Sequence, residues 1–281
     1  MNTIKKLLLA ITCFVFTNGN AQDYPFKVEV KGKGEPVLLF PGFTCTGEVW
    51  EQTVKEISKS YECHIFTLAG FGDVKPIEKP WLPKIKEGVE QYIINAKLKN
   101  ITAIGHSLGG ALGLWLATEN NSNIKKLIVV DALASTGALM MPNYKSEYIV
   151  YDNPYNKQQL EMDSVKFRGM AKQMAASMSL NKEKYKQLED WIVMTDRETY
   201  VYGYTDLLKL DLREDVGKIK IPVTILAATE PYGKEAAKKN YTEQYKNLKD
   251  YKLLFADGSA HFIMYDKPEW FLAQIKSELA K

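Results

Sequence analysis

Apolar and polar residues alternate through Phe26, Val28 and Val30, and after a Lys31-Gly-Lys-Gly34 turn the alternation gives way to an unbroken apolar run at residues 36–40. Alternation marks a strand with one wet face and an unbroken run marks a strand covered on both, so the pattern predicts an antiparallel edge hairpin feeding a buried strand. From there strand and helix periods take turns. An amphipathic helix is expected over 50–57, a strand over 64–68, a helix over 85–98, a strand over 101–104, an apolar helix over 111–117 and a strand over 124–131. This alternation predicts an α/β fold: a mostly parallel, doubly wound sheet with helices on both faces.

The rhythm breaks after Asp131. From 135 to 216 no long β-branched run occurs; Tyr, Met, Lys and Glu recur instead at helical spacing, with Met162, Met170, Met174 and Met178 on or near one face. The sheet pattern resumes at 221–227, followed by a helix over 234–245, a last strand over 251–255, a loop carrying His261 and a closing helix from Pro268. The expected organisation is therefore a core built from residues 22–134 and 217–281, with 135–216 inserted as a helical cap. The methionines have two readings, an accessory helical layer packed on itself or the lining of an adaptable apolar pocket.

At 281 residues, 46% of them hydrophobic, the chain is long enough to bury a full core as one large α/β domain. Residues 1–21 have the three parts of a secretory signal: Lys5 and Lys6, an apolar run over 7–16, and Gly19-Asn-Ala21 as a small-x-small cleavage site. The expected mature chain begins near Gln22 and is secreted or periplasmic. Of the formal net charge of +3, two belong to Lys5 and Lys6, leaving +1 and no basic run to track a phosphate backbone, which argues against a nucleic-acid partner. The leader's apolar run is too short to span a bilayer and no later run reaches about twenty residues, so no membrane span is expected. Cys13 is a poor lipidation site, because Thr12 precedes it and Phe14-Val-Phe16 carries the apolar run past it. Cys45 and Cys63 are expected as unbridged thiols, since one follows the end of a strand and the other begins the next, at opposite edges of a parallel sheet. Asn100, Asn120 and Asn240 each open an Asn-x-Ser/Thr pattern, relevant only in a glycosylating host. The sequence specifies no oligomeric state.

The candidate chemistry centres on Gly105-His106-Ser107-Leu108-Gly109, between the strand over 101–104 and the helix over 111–117. A strand that reverses this sharply into a helix brings backbones too close for side chains two positions either side of the serine, and exposes its Oγ at the apex. A serine needs a base within hydrogen-bond reach. Three histidines exist. His106 adjoins Ser107 and is expected to point away as a packed, structural residue; His64 is expected to begin a strand at the sheet edge opposite the active face. That leaves His261, in a small-residue loop beyond the final strand. No His, Cys or Asp cluster has metal-ligand spacing and no Gly-x-Gly-x-x-Gly fingerprint occurs, so neither metal nor cofactor is expected.

Over essentially the whole mature chain, these features resemble the α/β-hydrolase family with a cap, in which the elbow serine, an acid after a later strand and a final histidine follow in that order. Phe40-Pro-Gly-Phe43-Thr resembles the family's oxyanion loop, with Pro41 where His is common, and Leu68-Ala-Gly-Phe-Gly72 resembles the next turn, with Thr67 where Asp is usual. The resemblance implies an oxyanion hole from the backbone N–H groups of Phe43 and Leu108. It implies a triad acid too, either Asp131, after the strand that follows the nucleophile helix, or Glu230, beside the usual position, which Pro231 occupies here. Asp131 is preferred; Asp266 is too close to His261 in sequence. The implied activity is that of a serine hydrolase cleaving a small or medium acyl ester, with thioester, lactone or amide cleavage open to the same machinery. Ser107 in place of an aspartate argues against dehalogenase and epoxide-hydrolase chemistry. The alternatives are a non-catalytic ligand-binding homologue and an acyltransferase or perhydrolase on the same triad.

Overall fold

Strand pairing brings the candidate chemistry to one edge of the molecule. A computed structural model describes residues 23–119, 123–141 and 143–281; the leader expected at 1–21, with Cys13, and Asn120 lie outside them. Strands β1 (Phe26–Lys31), β2 (Glu35–Phe40), β3 (Tyr61–Leu68), β4 (Ile101–His106), β5 (Ile124–Val130), β6 (Val223–Ala228) and β7 (Tyr251–Ala256) form a sheet in the order β1-β3-β2-β4-β5-β6-β7. All neighbours are parallel except β1, which runs antiparallel to β3.

The expected hairpin between β1 and β2 does not form. Val37, Leu38, Leu39 and Phe40 of β2 are completely buried, and the strand lies between β3 and β4. A segment apolar on both faces belongs in the middle of a parallel sheet, whereas the alternating β1, with Lys27, Glu29 and Lys31 to the outside, suits an edge. The Lys31–Gly34 turn therefore carries the chain past β3's position instead of folding it back. His64 is also placed differently from expectation. The strand starts at Tyr61, so His64 sits mid-strand, buried, with Nδ1 2.6 Å from the Tyr92 hydroxyl and Nε2 2.9 Å from Glu62.

Side chains that alternate along β2 divide the core. Leu38 and Phe40 pack with α2 (Trp81–Asn95), α3 (Leu108–Ala117) and α9 (Lys234–Gln244), while Val37 and Leu39 pack with α1 (Glu51–Ile57) and α11 (Pro268–Leu279). Helix α2 begins four residues before the periodicity predicts, because its cap comes from far along the chain. Pro80 at the N-cap has no side-chain acceptor, and Asp206 Oδ2 instead accepts from Trp81 N (2.6 Å) and Leu82 N (3.0 Å), with Tyr151 donating to Oδ1. An N-cap contact of this kind is worth about 1 kcal/mol.

Between β5 and β6 the chain forms α4 (Thr136–Met140), α5 (Pro154–Glu161), α6 (Ser164–Met178), α7 (Tyr185–Met194) and α8 (Tyr204–Lys209). Helices α6 and α7 close over Phe167, Ala171 and Ile192, with Met162, Met170, Met174 and Met178 packed around them. No helix of the described residues is long and apolar enough to cross a membrane. Cys45 and Cys63 are buried and free, without a bridge between them.

Candidate active site

The order of connections reverses at β2 and β4: from β2 the chain moves outward to β3, and from β4 it moves the other way to β5. Loops leaving the carboxyl ends of two such strands diverge and leave a crevice where ligands bind in open α/β sheets. The loop after Phe40 and the elbow after His106 both open onto it.

Ser107 occupies the apex with φ 52° and ψ −119°, a conformation that costs a non-glycine residue about 1–3 kcal/mol. Its N–H donates to Val130 O (2.9 Å), and its carbonyl accepts from Gly110 N (2.9 Å) and Ala111 N (3.1 Å), so both flanking elements hold the strain. A Cβ on Gly105 would lie 2.1 Å from Gly109 O, and one on Gly109 2.3 Å from Phe40 O. This is the close approach expected from the sequence.

His261 lies in the loop between β7 and the short helix α10 (Ile263–Asp266), and three contacts fix that loop. Ala260 N donates to Asp266 Oδ2 (2.8 Å), Phe262 N donates to Met178 O (3.1 Å), and His106 Nε2 donates to the His261 carbonyl (3.0 Å). Because a carbonyl only accepts, the His106 proton is on Nε2, and its buried Nδ1 has no partner among the described residues. His106 is thus packed and structural, as expected, and it also supports the backbone of His261.

Asp131 follows β5 at φ 46° and places Oδ2 2.6 Å from His261 Nδ1. Its Oδ1 accepts from Ala228 N and from the Tyr241 hydroxyl, each at 2.7 Å. Burial opposes ionisation of Asp131, but the hydrogen bond and charge of His261, with the Ala228 and Tyr241 donors, outweigh it and hold the carboxyl below its ordinary range. Glu230, the other candidate acid, is exposed and makes no bond to His261; its N–H donates to Ser259 O (2.9 Å). Asp266 is a tie between segments, since its Oδ1 also accepts from Ser179 Oγ (2.6 Å) and Leu180 N (2.9 Å). Nothing in the sequence singles out Tyr241 or Asp266 for these roles. Neither stands in a motif, and only the packing of α9 and of the α6–α7 turn shows them.

Ser107, Asp131 and His261 line one cavity of about 360 Å³, walled by apolar side chains that include Phe43, Leu139, Met174, Met178 and Leu207. Met174 and Met178 therefore serve both readings, packing within the helices over the sheet and facing the cavity. Among the described residues no hydrogen bond within the chain takes the N–H of Phe43 or of Leu108, and no group of His, Cys, Asp and Glu could hold a metal. The arrangement brings a hydroxyl and a carboxylate-held imidazole to one cavity; among the described residues no hydrogen bond joins Ser107 Oγ to His261.

Burial, with His261 adding to it, lowers the His106 pKa from 6.5 to about 3. The unfolded chain therefore binds a proton here that the fold does not, so stability present above pH 6.5 is lost as pH falls toward 3. One such group contributes a slope of up to about 1.4 kcal/mol per pH unit. Denaturant midpoints measured from about pH 6.5 to 4 are expected to fall less steeply in His106→Asn than in the parent; equal slopes would show that His106 is not held neutral.

A family model described as alpha/beta hydrolase fold matches residues 35–268. The chain is similar to the pimeloyl-[acyl-carrier protein] methyl ester esterase of Vibrio cholerae, 25% identical over 203 residues that cover 69% of this chain and 75% of that protein. It is also similar to the AB hydrolase superfamily protein YisY of Bacillus subtilis, 23% identical over 258 residues, 86% and 90% of the two chains. Among solved structures, the enol-lactonase from Burkholderia xenovorans superposes with a TM-score of 0.77 at 16% identity, covering 91% of this chain and 96% of that one. An esterase from Exiguobacterium antarcticum gives 0.75 at 19% identity, with the same two coverages. At these identities the structures share the fold.

Proposed function

Since the chain belongs to the alpha/beta hydrolase fold family, we propose that it is a carboxylic ester hydrolase that cleaves a small or medium acyl ester through an acyl-enzyme on Ser107. The observation that carries this reading is the 2.6 Å contact between His261 Nδ1 and Asp131 Oδ2, on the same cavity as the strained Ser107. The similarity to esterases supports it.

In this mechanism Asp131 keeps the His261 proton on Nδ1, leaving Nε2 free to take the proton of Ser107 as Oγ attacks the substrate carbonyl carbon. The N–H groups of Phe43 and Leu108 hold the oxygen that becomes negative, and one such donor is worth roughly 3 kcal/mol in the transition state. The carbon–oxygen bond to the alcohol breaks as His261 returns the proton to the leaving oxygen. Water repeats the sequence on the acyl-enzyme, giving the acid and free serine. A thioester, lactone or amide would follow the same course. The helices of 135–216 act as a cap that shapes the acyl site, and export through the leader at 1–21 belongs to the same reading. The cavity volume lies toward the low end of small-molecule sites, which favours short substrates.

A fluorophosphonate probe tests the reading: labelling is expected at Ser107 and is expected to fall in His261→Ala. Labelling at another residue would move the nucleophile away from Ser107, and no labelling at all would leave a binding protein in place of the enzyme.

A further inference from the structure

We infer that the mouth of the cavity selects esters carrying a cationic group, and that the Glu230 carboxylate is the selector. The inference rests on the ester-hydrolase reading and goes beyond it by naming a substrate class. Glu230 and Tyr232 both line the cavity that holds Ser107, and among the described residues no Lys or Arg does. Among the described residues the Glu230 carboxylate forms no ion pair, and Tyr232, two residues further on, is 82% exposed. Their segment is anchored: Thr229 N and Glu230 N donate to Ser259 O (3.1 and 2.9 Å), and Gly233 N donates to Thr229 O (2.6 Å). The backbone that carries both side chains is thus a fixed turn.

Nearby cations are directed elsewhere. Lys234 Nζ lies 2.9 Å from Asp257 Oδ2, and α9 faces the cavity through Ala237, Asn240 and Tyr241, with Lys238 and Lys239 exposed outside the lining. A carboxylate attracts an ammonium group by charge and repels an anion, and an aromatic ring on the same cavity adds the attraction of its quadrupole for a cation. In a partly wet mouth this amounts to several-fold, and salt screens it.

Two matched pairs of substrates test the inference: choline butyrate against its tert-butyl isostere, and the methyl ester of γ-trimethylammonio-butyrate against its own tert-butyl isostere. These put the charge on the alcohol and on the acyl side in turn. In at least one pair the kcat/KM ratio of cation to neutral is expected to be about fivefold at low salt. That ratio is expected to fall to about one in Glu230→Gln, to survive in Glu230→Asp and to drop below one in Glu230→Lys. Ratios near one in both pairs of the parent, or a ratio unmoved by Glu230→Gln, would overturn the inference while leaving the hydrolase reading intact. Failure to hydrolyse even the neutral esters, together with absent fluorophosphonate labelling, would remove both.

Discussion

A Ser107→Ala chain is expected to hydrolyse a chromogenic short-chain ester about a million-fold more slowly than the parent, with the fold retained. The thiols of the described chain cannot take over. Cys45 is buried and its thiol is pushed far up by burial, and burial raises Cys63 to about 11, so neither supplies a thiolate near neutral pH. Thr44, Thr136 and Thr229 line the cavity, but none stands at the elbow between β4 and α3. The residual rate, about a thousandfold or more above water, is what the oxyanion donors and binding alone provide. Because alanine at φ 52° stays strained, the companion Ser107→Gly is expected to be more stable than Ser107→Ala by about 1 kcal/mol. Single-turnover rates and denaturant midpoints measure the two effects separately. A loss below about a hundredfold in Ser107→Ala would mean that the nucleophile is another residue.

The elbow was legible in the sequence because its glycines answer a local steric demand, one that the Gly109 O and Phe40 O contacts realise within a few residues of Ser107 or on the adjoining strand. His261 was legible because only three histidines compete. Partnership was less legible. Alternation in β1 announces an edge strand, yet nothing in it distinguishes β2 from β3 as neighbour; that choice follows from the burial of β2 on both faces. The start of α2 was hidden because its cap, Asp206, lies 125 residues further on. The choice between Asp131 and Glu230 was hidden for a related reason. Strands β5 and β6 are adjacent and in register, with Val130 beside Leu226, so the residues beyond both strands reach the same edge of the sheet. Which carboxylate meets His261 depends on side-chain direction: Asp131 turns inward at φ 46°, while Glu230 stands on an exposed turn.

Replacing Asp131 by asparagine is expected to lower kcat about ten thousand-fold while changing almost no shape. The two donors on Oδ1 decide the outcome. Ala228 N–H and the Tyr241 hydroxyl both point at that oxygen, so an asparagine would keep its carbonyl oxygen there and turn its NH2 toward His261 Nδ1. Nδ1 would then have to accept, which moves the imidazole proton to Nε2, the nitrogen that the proposed mechanism needs free to take the Ser107 proton. The expected loss is at least about a hundredfold greater than that of Glu230→Gln measured on the same neutral ester. Nitrogen chemical shifts of His261 should report the exchanged tautomer, a signature that simple loosening of the loop would not produce. Asp131→Asn also removes a carboxyl held below its ordinary range, whose stability contribution is present above the unfolded carboxyl pKa and is lost as pH falls through the folded one. The variant should therefore lose less stability than the parent across the acid range. A kcat loss in Asp131→Asn no larger than that in Glu230→Gln would assign the histidine's orientation to some other group.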